Sequence, residues 1–80
     1  MDIEQRAERA RAILTDDLFA EAVNRIRERQ LAAFENSAPD NSGAREQAYQ
    51  MLNALTQLTS ELRSAIDDEA IQKGRHRGSD

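Results

Sequence analysis

The sequence predicts an all-α protein. Its expected form is an antiparallel helical hairpin, of segments about 17–36 and 43–72, with an N-terminal helical extension over about 2–14. Three observations predict this. The breakers are confined, with one proline, Pro39, in the turn-forming run 36–43, and three glycines at Gly43, Gly74 and Gly78. The remainder is rich in Ala, Leu, Arg, Glu and Gln, which are strong helix formers. The larger apolar residues recur at steps of three and four, the helical period, and no stretch alternates as a strand would.

In the first segment Ile3, Ala7, Ala10 and Leu14 share one helical face. Thr15-Asp16-Asp17 then interrupts the pattern. Thr15 or Asp16 can cap a new helix, and acidic residues favour the positive end of one. The spacing therefore predicts a break or kink near Leu14, with one continuous helix as the alternative. In the second segment Phe19, Val23, Ile26, Leu31 and Phe34 lie on or near one side. Gln30 interrupts that stripe, either at its edge or as a polar contact that sets register.

The third segment carries the clearest pattern, starting from a cap at Asn41 or Ser42. Ala48, Met51, Leu55, Leu58, Leu62 and Ala65 form a coiled-coil-like seam, and Leu52, Thr59 and Ile66 widen it to one side. A stripe this broad suits a helix packed against more than one neighbour. The short connection makes segments two and three antiparallel neighbours.

Counting outward from the turn sets Phe34 against Ala48, Leu31 against Met51 and Ile26 against Leu55. Val23 then meets Leu58, Phe19 meets Leu62, Leu14 meets Ile66 and Ala10 meets Ile71. The expected hairpin core is Phe19, Val23, Ile26, Leu31, Phe34, Met51, Leu55, Leu58 and Leu62. In the same register Arg9 and Arg11 fall close to Asp67, Asp68 and Glu69. That pairing would offset carboxylates placed unfavourably near a helix C-terminus.

Composition limits how well such a chain stands alone. Apolar residues make up 39% of it, yet thirteen are alanines, so too few large side chains remain for a deep core. A chain of 80 residues is expected to bury only about 60–65% of its unfolded surface. Cysteine is absent, which excludes disulfides and thiolate metal sites, and one histidine makes a protein-only zinc site a poor expectation. No cofactor is expected. The remaining support is self-association or another protein. Ile13, Leu18, Tyr49, Leu52 and Ile66 are left for that partner interface once two helices have been packed together.

Catalytic chemistry has little to build on. His76, the only histidine, lies in a polar tail between arginines, with nothing to hold it as a base. In the pairs Asp16-Asp17 and Asp67-Asp68 the neighbours diverge by about 100° on a helix and do not converge on a metal or a proton. The serines have no base partner, and no glycine-rich phosphate loop is present. The chain therefore reads as a non-enzyme.

The net charge of −4 argues against a general nucleic-acid binder. Ten of the eleven basic residues are nevertheless arginine, which suits fixed contacts with carboxylates or phosphates. Arg25 and Arg29, with Lys73, Arg75 and Arg77 of the basic polar tail 73–80, are the candidate contacts to an anionic partner. Phe34 and Tyr49 flank the turn and are expected to close that end of the hairpin. No apolar run approaches a membrane span and no signal peptide opens the chain, so a cytoplasmic setting is expected.

The stretch 10–19, Ala-Arg-Ala-Ile-Leu-Thr-Asp-Asp-Leu-Phe, resembles one found in short α-helical proteins of tailed bacteriophages encoded near structural and packaging genes. In that family a leucine pair precedes an Asp-Pro helix start; here Asp17 stands where the proline often stands, so the second helix start is less rigidly specified. The likeness continues through residues 33–40 and 44–46. The family places an aromatic, usually tryptophan, before a serine or threonine, an aspartate and an Arg-Glu pair; this chain has Phe34, Ser37, Asp40 and Arg45-Glu46. The apolar spacing from Tyr49 to Ile66 is similar too, and the likeness covers about residues 10–71.

The resemblance implies a phage assembly context and carries over no catalytic residue. It makes the expected protein a virion or assembly accessory component. Such a component would dock through helices onto itself or another phage structural protein, in the host cytoplasm during assembly or within the virion. A nucleic-acid-binding subunit like a small packaging terminase is one alternative. A small regulator of a host protein is another.

Overall fold

The computed structural model describes the backbone of residues 1–78 and the side chains of residues 1–75. Three helices follow in order, α1 (Ile3–Leu14), α2 (Asp17–Asn36) and α3 (Ser42–Gly78), with no strand among the described residues. α3 packs against both other helices, while α1 and α2 make little contact with each other. The arrangement is the expected hairpin, with one arm broken in two. At 1.5 Å per residue α3 spans about 55 Å, which accounts for the long dimension of the 60 × 25 × 17 Å molecule.

Each helix boundary has a local cause. Asp2 caps α1 through the Gln5 amide, and the Gln5 side chain accepts in return from the Asp2 backbone N–H, forming a capping box. Thr15 closes α1, its hydroxyl donating to the Arg11 carbonyl at 2.7 Å. Asp16 then opens α2 by accepting from the Phe19 amide at 2.8 Å. The break is thus a cap back to back with a terminator. Between α2 and α3 the Asn41 amide donates to the Ala38 carbonyl, closing a four-residue turn with Pro39 at its second position, where a fixed φ is favourable. Asn41 is the cap of α3, accepting from the Ala44 amide, and Arg45 ties back to the Pro39 carbonyl at 2.7 Å.

α3 does not end near residue 72 as expected but continues through residues 73–78. Gly74 inside a helix costs only about 1 kcal/mol relative to alanine, which does not terminate a helix already propagated over many turns. The basic residues there also complement the negative end of the helix dipole.

The core is thin. The buried apolar residues are Ala7, Ala10, Val23, Ala48, Leu55 and Ala65, and no large side chain among the described residues is completely enclosed. The alanines of α1 let it lie close to α3 but contribute little apolar area. Around them Ile3, Leu14, Phe19, Ile26, Leu52, Leu62 and Ile66 are half-buried.

Candidate docking surface

Burial along α3 falls on Ala48, Leu52, Leu55, Thr59, Leu62, Ile66 and Glu69, which alternate by four and three, with Ala65 buried beside them and Ala44 and Arg45 half-buried near the turn. This seam is rotated from the expected one. Met51 and Leu58, expected in the core, are 45% and 48% exposed. Leu52 and Ile66, expected at a partner interface, turn inward and are half-buried. The cause lies in the width of the stripe. The positions 51/58/65, 48/55/62 and 52/59/66 are adjacent columns of α3, and a single opposing arm covers only part of them. The column holding Ala65 is covered beside α1, while Met51 and Leu58 beside α2 are left out.

On α2 the inward residues are Phe19, Val23, Ile26 and Gln30, and Arg27 beside them is also half-buried. Gln30 is half-buried within the seam, whereas Leu31 and Phe34, expected in the core, are each 45% exposed. Leu31 lies one residue off the seam. Phe34 instead lines a shallow depression with Tyr49, Ser42, Arg45 and Glu46 beside the turn. The two aromatics therefore share one flank of the hairpin end without closing it.

Glu69 is the one buried charged residue among those described. It accepts from the Arg11 guanidinium at 2.7 Å, and the Lys73 ammonium stands 3.8 Å away. The Arg11 hydrogen bond holds the Glu69 carboxyl below the usual glutamate range; burial opposes this, and the Lys73 and Arg11 charges add to it. This link ties α1 to the far end of α3, as the expected register required. Glu69 belongs to the column 48/55/62/69, so its inward position was legible as a seven-residue repeat. A search for apolar residues alone passes over it.

The residues left for a partner divide between two flanks. In antiparallel helices the residues preceding the four-residue seam steps' ends lie on a common flank. Arg6 and Ile13 of α1, Ala22 and Arg29 of α2, and Met51, Leu58 and Ala65 of α3 occupy it by this count. Leu18 adjoins it, 72% exposed and grouped with Glu21, Ala22, Arg25, Ile26 and Arg29. The opposite flank carries Leu31, Phe34 and Tyr49 near the turn. Ile13, Leu18 and Tyr49 are therefore uncovered where the sequence placed them.

The candidate anionic-partner contacts are not gathered into one face. Arg25 and Arg29 lie midway along α2, and Arg25 is paired with Glu21. Lys73, beside Glu69, and exposed Arg75 lie about 30 Å further along the rod by helical rise. The side chains of Arg77 and His76 lie outside the described residues. Among the described residues no group of three or more His, Cys, Asp or Glu could hold a metal ion, and no helix is long and apolar enough to cross a membrane. Comparison of the chain with known protein families, curated proteins and solved structures finds no match.

Proposed function

We propose that this chain is a non-enzymatic docking protein, serving as an accessory component in bacteriophage assembly or in the virion itself. The observation that carries the docking role is the mismatch between surface and mass. The chain exposes 6372 Å². A compact protein of 9.0 kDa is expected to expose about 4,900 Å². The excess includes Leu18, Met51, Leu58 and Tyr49, large apolar or aromatic side chains that water solvates poorly. The assembly context rests on the resemblance of residues 10–71 to the phage proteins.

Docking would leave the Val23–Leu55 seam intact and cover a flank. The test is deletion of the gene from a phage that carries it, with particle yield and the protein content of purified particles and assembly intermediates as readouts. The expected result is a loss of complete particles, with the chain present in particles or intermediates of the parent phage. Normal yield from the deletion would reject the assembly role. DNA binding by the purified chain with a steep salt dependence would instead favour the terminase-like alternative.

A further inference from the structure

We infer that the flank of Met51, Leu58 and Leu18 is covered by a second, antiparallel copy of this chain, making a dimer of two hairpins, six helices in all, with Leu58 meeting its own mate on the two-fold axis. This inference rests on the docking reading and names its partner. Three features of the chain point to a copy of itself.

The first is area. The exposed surface exceeds that of a compact monomer by roughly 1,500 Å², and a standard interface takes about 800 Å² from each partner. One flank of a rod this long supplies that. The second is position. The Arg11–Glu69 pair and the Phe34–Tyr49 depression fix the register at both ends of the hairpin. Interpolation sets Leu58 level with Val23, about a third of the way along α2. A two-fold axis there overlays the arms over most of their length.

The third feature is charge. Arg29 and Arg25, the latter already paired with Glu21 within the chain, lie on the turn side of that level, whereas Glu21 and Glu61 lie on the other side, Glu61 grouped with Leu58. An antiparallel copy inverts the order and sets each arginine beside the other copy's acids. A parallel copy would set like against like. Isologous contacts require such self-complementarity.

The experiment uses the full chain, which has no cysteine of its own. Sedimentation equilibrium should give twice the 9.0 kDa chain mass. Leu58→Cys should oxidise to a covalent dimer, because disulfides form only when the two Cα atoms come within about 7 Å. Asn53→Cys, on the far side of α3, should give about tenfold less, since its sulfurs cannot meet across that axis. Leu58→Asp should weaken the dimer by about 10–100-fold while Val23 and Leu55 keep the hairpin helical.

Equal crosslinking of Leu58→Cys and Asn53→Cys would overturn the proposed geometry. A weakly folded monomer would overturn the second copy while leaving a different protein as the docking partner. A monomer with a sharp, concentration-independent melt that Leu58→Asp does not change would overturn both the dimer and the docking reading.

Discussion

Leu55 and Val23 are the only larger side chains among the buried apolar residues described, and the rest are alanines. Burying such a side chain stabilises by about 1.5–3 kcal/mol, so much of the hairpin's net stability depends on these two positions. Leu55→Ala should cost about 2–4 kcal/mol, read from the denaturant midpoint by circular dichroism. Met51→Ala, at an exposed position, should cost well under half of that. Equal losses would contradict the rotated seam. Glu69 supplies a second test at this scale. Its native pKa is lowered, mainly by the Arg11 hydrogen bond. Its contribution is therefore fully present above the ordinary glutamate value of about 4.3 and is lost as pH falls through the native value. Glu69→Gln should be less stable than the parent near neutral pH, and the difference should shrink in acid. A difference constant from pH 7 to pH 3 would contradict the ionic role.

At the scale of the helices, caps decide where one element stops and the next begins. Asp16 supplies the first acceptor of α2 directly after Thr15 has closed α1. Asp16→Ala should therefore cost about 1 kcal/mol in thermal or chemical denaturation, as loss of a cap does. An unchanged midpoint would mean that tertiary packing alone sets the break. The C-terminal extension of α3 makes the opposite prediction. A Cβ added at Gly74 would meet nothing within 4 Å, and its φ is not positive. Gly74→Ala should raise stability by about 0.5–1 kcal/mol and add to the helical signal. A loss of helicity would place the end of α3 nearer residue 72.

For the molecule as a whole, shape is the informative quantity. The radius of gyration is 17.6 Å, against about 12 Å for a compact domain of this length. Such a rod has a large surface for its mass and a narrow interior. Its melting temperature should therefore rise with protein concentration if a second copy covers the flank, because association stabilises by mass action. Scattering at low concentration should approach the monomer value of 17.6 Å. A melting temperature that is flat over a hundredfold dilution would count against self-association. The separation of Arg25 and Arg29 from Lys73 and Arg75 also belongs to this scale, since it spreads the positive charge along the rod.

Helix identity, the turn at Pro39 and the pairing of Arg11 with the acidic end of α3 were legible in the sequence, and the break before Asp17 was one of the two readings it left open. They follow from local chemistry: breakers, caps and a period of 3.6, together with a register counted from one tight turn. Which columns of α3 face inward was not legible. Two seams fit the same spacing, one through Met51 and Leu58 and the other through Leu52, Thr59 and Ile66. Counting apolar residues favours the first. The folded chain adopts the second, because one broken arm covers only part of a stripe several columns wide; the column of Glu69 is common to both seams. Sequence alone therefore determined where the helices lie, apart from the extension of α3 past residue 72, and how the arms align. Only the tertiary packing decided which apolar side chains remain for a partner, since that depends on the rotation of one helix against another and not on any property of a single helix.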